Sequence, residues 1–503
     1  MGVIAKQSIK GTIVTYLGVA IGFITTFFVL TRFLTSEEIG LARVLSDAAV
    51  LFIGLAQLGT NASIIRFFPY FNEDNQQHGF FFWVIIVPLL GFALFAGVYI
   101  ACHAPLAAWF GEKSPLFVDY YYFVLPLAFF MLYQSVFEVS ASVKMHIVIP
   151  KAVREVLVRA ALLVSYLLYA FHILSLDGLV IALCTSYALA AVVNIIYFFS
   201  LGDISLRPDW TFLRTHRTLV RRYLLYTGFL IVSALTSVLA PTLSSFFITA
   251  QMGLQYTGIF AIATYIAVMV SIPYRSLVAI TQPELAQTIK DNDRHNTTRL
   301  IAQASNNLLL IGGFIFLLIW INIDLIFAIL PNGDQYACAK HVVLLLGIGQ
   351  LMVASLNIFL STLSYSRFYA FSLFNSLVLT GSALWLNNLL IPRYGIDGAA
   401  AATVISDIVY YLLTIITSCT ALRVQPFNRQ HLYTMLLLLL LFGANTLLTH
   451  AHLVDTLSPI AALWISSIAR TLILMGAGLY IAYRLQLSKE INALLSGICI
   501  QRK

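Results

Sequence analysis

The chain has 503 residues, of which 60% are hydrophobic and only 10% charged, with a net charge of +8. A water-soluble chain carries about a quarter charged residues, so a soluble globular protein is excluded and the bulk solvent is lipid. The apolar runs reach about 20 residues or more, too long and continuous for barrel strands of about ten, which leaves an all-α polytopic membrane protein.

Fourteen transmembrane helices are expected, near 11–34, 41–65, 80–102, 118–142, 156–174, 178–200, 224–249, 255–281, 305–330, 340–363, 368–391, 397–420, 432–453 and 459–484. Lys6 and Lys10 precede the first run, which is too long for a signal-peptide core and lacks a small-residue cleavage site. On it Gly11, Thr15, Gly18, Gly22, Thr25, Val29 and Arg32 recur at helical spacing. Such a small, hydroxylated face either packs against another helix or lines a cavity. The second run carries Arg43, Asp47, Val50, Gly54, Gln57 and Asn61 at intervals of three and four, which places them on one helical face. A stripe with a cation, an acid and two amides does not face lipid, although Arg43 and Asp47 also stand one turn apart and can neutralise each other.

Farther along, Glu138 near the end of the fourth run and Asp407 within the twelfth are candidate proton or cation sites, or acids with a local partner. The connection 201–223 is the most basic loop. There Asp209 is expected to cap a short helix, with Arg214, Arg217 and Arg221 on one face and Trp210, Phe212, Leu213 and Leu219 toward lipid; a plain linker between halves is the alternative. In the eighth run Arg275 follows Pro273 and Tyr274. An unpaired guanidinium in hydrocarbon costs at least about 2.5 kcal/mol, so a partner is expected: Glu138, Asp407 or an anionic ligand. Arg470 stands in the middle of the last run, with no repeat to support it.

The sequence is doubled. Glu38-Ile39-Gly40 opens the second run and Tyr256-Thr257-Gly258 the eighth, while Leu176-Asp177-Gly178 parallels Ile396-Asp397-Gly398. Six spans separate the copies, so two six-helix lobes of like orientation are expected, related by a parallel repeat with a substrate site between them. The expected divisions are an N-lobe over 1–200, a basic cytoplasmic linker over 201–223, a C-lobe over 224–420, and a terminal helix pair with a cytoplasmic tail over 421–503. With this alternation, 22 of the 29 lysines and arginines fall on the side of the N-terminus, which places both termini in the cytoplasm. Shifted by the repeat offset, the stripe of the second span falls on Ala261, Tyr265, Val268, Ile272, Arg275 and Ala279, and Arg275 takes the place of Gln57.

The segments Leu34-Thr-Ser-Glu-Glu-Ile-Gly-Leu, Leu58-Gly59, Arg66-Phe-Phe-Pro69 and Pro392-Arg-Tyr-Gly395-Ile-Asp-Gly398-Ala-Ala-Ala-Ala-Thr resemble, in order and spacing, the polysaccharide transport branch of the multidrug/oligosaccharidyl-lipid/polysaccharide exporter superfamily. The resemblance implies a flippase for a polyprenyl-diphosphate-linked oligosaccharide, such as an O-antigen unit for surface polysaccharide and lipopolysaccharide, in a bacterial cytoplasmic (inner) membrane. It implies alternating access, with Arg43 and Arg275 toward the diphosphate, Arg32 near the exit, and Gln57, Asn61 and Tyr265 toward sugar; Asp47 belongs to the same stripe. Implied partners are the lipid-linked substrate, membrane lipids and polysaccharide polymerase or ligase machinery. The positive charge follows topology, so no nucleic acid is expected. A multidrug or cation antiporter of the same superfamily would favour an acidic cavity. A glycan polymerase would present large loops with acids or histidines, and no paired-carboxylate or nucleotide-sugar motif is found. No enzymatic activity, metal or cofactor is expected; the five cysteines lack metal spacing.

Overall fold

The computed structural model describes residues 3–71, 78–202, 204, 206–211, 217–291, 293–365, 369–422, 427–450, 459–488 and 492. Every regular element among them is helical, and eleven helices are long and apolar enough to cross a membrane. Fourteen were expected, and the difference has identifiable sources. At the fifth expected span, Val158–Ala170 is short. The seventh lies in Arg217–Gln251, of which Val238–Gln251 is the apolar stretch among the described side chains. The eleventh and twelfth share Tyr369–Thr417, which turns at Gly395 with φ 59 and ψ −135, a conformation open only to glycine.

The chain divides into two compact units, Met1–Ala261 and Ile262–Lys503. The first contains α1 (Val3–Ile24), α2 (Ser36–Ala56), α3 (Thr60–Phe71), α4 (Phe80–Ala101), α5 (Val124–Val143), α6 (Val158–Ala170), α7 (Leu176–Ser200), α8 (Arg217–Gln251) and the opening turns of α9 (Leu254–Val268). Helix α1 continues through a π-helical turn, Thr25–Leu30, and a π turn at Val153–Leu157 leads into α6. The small face of α1 packs along that second segment. A Cβ added at Gly18 would lie 2.3 Å from the backbone oxygen of Glu155, and one at Gly22 would lie 3.0 Å from the Arg159 guanidinium. Gly18 and Gly22 therefore serve close helix approach.

The tightest approach in this unit joins α2 to α9. Thr35 starts α2 with a capping box: its hydroxyl accepts from Glu38 N–H, and the Glu38 carboxylate accepts from Thr35 N–H. One turn on, a Cβ at Gly40 would stand 1.9 Å from the carbonyl oxygen of Leu254, and a Cβ at Gly258 would stand 1.9 Å from that of Ser36. The contact is reciprocal: Gly40 and Gly258 are repeat counterparts, 218 residues apart, as are Ser36 and Leu254. Helix α8 is held nearby by Ser114 Oγ, which donates to Thr249 O at 2.6 Å, and by the Thr249 and Thr257 hydroxyls 2.8 Å apart.

The second unit holds α10 (Ile272–Lys290), α11 (Arg294–Ile321), α12 (Lys340–Tyr365), α13 (Tyr369–Thr417), α14 (Arg429–His450) and α15 (Pro459–Arg484). The terminal pair, outside the expected repeat, is tied to α11. Asn306 Nδ2 donates to Leu487 O at 2.7 Å, Thr434 Oγ1 donates to Asn306 Oδ1 at 2.9 Å, and His431 Nε2 meets Ser305 Oγ at 3.1 Å. Each unit also carries a comparable contact at the start of a helix. In the first, the Tyr120 hydroxyl donates to Asp177; in the second, His341 Nδ1 lies 4.0 Å from Asp397 Oδ2.

Alanine in place of glycine inside a helix ordinarily stabilises by about 1 kcal/mol. At Gly258 the sign should reverse, with a loss of about 1–3 kcal/mol from backbone overlap. Gly476→Ala, where nothing lies within 4 Å of the added atom, should be neutral or stabilising. Thermal unfolding of the two purified variants checks this; equal midpoints would refute the close crossing.

Candidate functional site

In the first unit, Arg43 Nε donates to Asp47 Oδ2 at 2.8 Å, and the two side chains are only 18% and 12% exposed. One turn of α2 separates them, so the helix itself sets the pair. The stripe does not run on through Asn61 as a single helical face. Helix α2 ends at Ala56, Gln57 caps it, and Leu58 and Gly59 both take positive φ, 46 and 67. Asn61 therefore belongs to α3, where its Nδ2 donates to Ser135 Oγ of α5 at 2.8 Å. Its Oδ1 is buried and has no hydrogen-bond partner among the described residues. Arg32 is exposed, its guanidinium carbon 5.5 Å from the centre of the Phe33 ring.

Among the described residues, the largest group of charges in this unit lies elsewhere. Glu138 Oε1 on α5 is 2.8 Å from an Arg154 guanidinium nitrogen. Another nitrogen of the same guanidinium donates to Glu155 Oε1 at 3.1 Å, and Glu155 Oε2 pairs with Arg159 at 3.0 Å. Gln134 donates to Glu138 Oε2 at 3.2 Å, and Arg159 also donates to the Gly18 carbonyl of α1. Two acids and two cations thus balance where α1, α5 and the π turn before α6 meet. Glu138, expected as an ion site, a partner of Arg275 or an acid with a local partner, takes the last of these roles, paired with Arg154. The sequence alone singled out none of Arg154, Glu155 and Arg159. The i, i+4 spacing of Glu155 and Arg159 was the available signal.

The basic connection folds back on the turn before α4. His78 Nδ1 lies 2.9 Å from Asp209 Oδ2, and Trp210 meets Trp83 edge-on at 5.4 Å. Asp209 is thereby engaged with a histidine. Phe212, Leu213 and Arg214, and the side chains of Arg217 and Leu219, lie outside the described residues.

In the second unit, Tyr265 is part-buried on α9. That helix passes into a 3₁₀ turn, Met269–Ser271, and Pro273 falls in the first turn of α10. A proline there leaves no helical hydrogen bond unmade. Arg275 follows on α10; its side chain lies outside the described residues. Asp407 stands on α13 beside α12, where a Cβ on Gly349 would be 3.5 Å from its Oδ2.

Removing one partner of a buried ion group leaves the other charge uncompensated, at a cost of about 3–5 kcal/mol. Arg154 is 49% exposed, so Arg154→Gln should cost less, about 1–3 kcal/mol. Adding Glu138→Gln should recover part of the loss. A double-mutant cycle read by thermal unfolding checks the coupling, and strict additivity would refute it.

Comparison with known proteins places these features. The polysaccharide biosynthesis protein family matches residues 4–289, more than half of the chain. No curated protein sequence matches. Among solved structures, the chain is similar to the lipid II flippase MurJ in an inward closed conformation, with a TM-score of 0.70 and 12% identity, covering 95% of this chain and 100% of that one. It is also similar to an inward-facing multidrug resistance transporter of the MATE family and MOP superfamily, with a TM-score of 0.58, 14% identity, and coverage of 81% and 99%. A third is a MOP superfamily transporter from Pyrococcus furiosus, described as having a binding pocket of reversed polarity, with a TM-score of 0.55, 13% identity, and coverage of 83% and 96%. At these identities the likeness is one of fold. The chain belongs to the polysaccharide biosynthesis protein family, a multi-pass membrane protein with the fold of the exporter superfamily that its sequence resembles.

Proposed function

We propose that the protein is a flippase that moves a polyprenyl-diphosphate-linked oligosaccharide from the inner to the outer leaflet of the bacterial cytoplasmic membrane by alternating access. The reading rests on one observation: in a chain of this family, α2 carries an arginine and a carboxylate, Arg43 and Asp47, whose side chains are only 18% and 12% exposed. An arginine fork suits a diphosphate, because it bonds paired oxygens and keeps its charge at any working pH. Arg43 and Arg275 are the proposed diphosphate contacts and Arg32 the exit contact. Gln57, Asn61 and Tyr265 are proposed for the sugar, with Asp47 orienting Arg43. Both termini are cytoplasmic in this reading, and polymerase or ligase machinery takes up the product.

A second reading has its own support. Asp407 shows no hydrogen bond or ion pair among the described residues, and an interior acid suits a cation carried by an antiporter of the superfamily. Asp407→Asn separates the two, since it should stop cation-coupled drug efflux and leave an uncoupled lipid flippase working.

Deletion of the gene should trap short lipid-linked glycan on the inner leaflet. The wild-type gene should release it, whereas Arg43→Ala or Arg275→Ala should lower flux about tenfold or more at normal membrane levels, the loss of one charge-assisted contact. Unchanged flux in both variants would remove the arginines from the path. In a cysteine-free background, Gln57→Cys and Asn61→Cys should react with a water-soluble thiol reagent. Inert thiols at both positions would mean a dry packing face.

A further inference from the structure

Arg470 is absorbed by none of the above. Counting along α15 puts it inside the span, yet its neighbours belong to the end of another helix. Asn322, which terminates α11, donates its Nδ2 to Thr471 Oγ1 at 2.8 Å, and Asp324, two residues farther, acts electrostatically on Arg470. Lys340, at the start of α12, closes the group: its Nζ lies 2.6 Å from Asp324 Oδ1 and 5.8 Å from the centre of the Trp320 ring. Lys340 thus pairs directly with Asp324, and Arg470 lies within electrostatic reach of the same carboxylate. The Arg470 guanidinium donates through Nε to the Ser466 carbonyl at 3.2 Å, and its terminal nitrogens have no hydrogen bond among the described residues. One turn before Arg470, Ser467 is 1% exposed and its hydroxyl is also without a partner. Asp324 is 52% exposed and Lys340 38%, so the group opens to the surroundings at the level where a bundle helix ends.

An arginine on a membrane-spanning helix with its head near the end of a neighbouring helix suits an interfacial cation. The unused donors call for an acceptor with several oxygens and a negative charge. We propose that Arg470 and Lys340, with Thr471, hold the phosphate of a lipid headgroup at the end of α11, a site separate from the path described above. A bulk phospholipid and the polyprenyl diphosphate carrier present the same chemistry. The inference does not depend on the flippase reading, because its readout is retained lipid.

The full chain is purified in neutral detergent and titrated with phosphatidylglycerol, with diacylglycerol lacking the phosphate, and with a polyprenyl diphosphate, and bound lipid is counted by native mass spectrometry. Arg470→Gln should weaken phosphatidylglycerol binding about tenfold without changing retention of diacylglycerol, while Arg470→Lys should keep most of it. Competition by polyprenyl diphosphate at this site would identify the carrier as occupant, and its failure to compete would identify bulk phospholipid. Lys340→Ala provides a second arm if Arg470→Gln does not fold. Phosphatidylglycerol retention equal to wild type in the folded variants would overturn the proposal.

Discussion

Arg154 bridges Glu138 and Glu155, at 2.8 and 3.1 Å, and Glu155 in turn holds Arg159. The arrangement follows from the burial of the two carboxylates, only 16% and 12% exposed, each of which closes on a guanidinium. In water such groups would gain little from meeting; in an apolar bundle each must close on another residue. The same constraint explains why Arg43 pairs within its own helix and why Arg159 reaches across to a backbone carbonyl of α1. It also explains the local irregularity. A π turn inserts one residue per turn and re-aims side chains, and Val153–Leu157 adopts one where Arg154 and Glu155 must reach their partners.

Close packing of glycines is the complementary device. With no difference in hydrophobicity between lipid tails and leucine, helix contact depends on fit. Gly40 and Gly258 let two backbones approach within carbonyl contact, and Gly18 does the same against Glu155. The α2–α9 crossing stands at the first turns of both helices, directly after the capping box that fixes where α2 begins. Helix start and helix crossing are thus set by neighbouring residues.

Where expectation and structure part, the cause is usually a local break that periodicity does not register. The stripe on the second span was read as a continuous face, and the residue spacing permits that. Leu58 takes a left-handed conformation, rare for a branched side chain, and the chain re-enters helix at Thr60. Asn61 then answers to α5. Arg470 stands mid-span along α15, and only the structure shows that its neighbour Thr471 meets Asn322 at the end of α11.

From the sequence alone came the class, the all-helical architecture, the family and most of the helices, because these depend on apolar runs, their length and short ordered motifs. The Arg43–Asp47 pair was also legible, since one helical turn dictates it. Only the tertiary structure decided that Glu138 meets Arg154, that the small face of α1 packs on the segment around Glu155, and that the terminal helices fasten to α11 through Asn306, Ser305 and His431. Those outcomes depend on contacts between residues far apart in the chain. No periodicity encodes them: a polar residue on a helical face records that a partner is needed, and packing selects which one it meets.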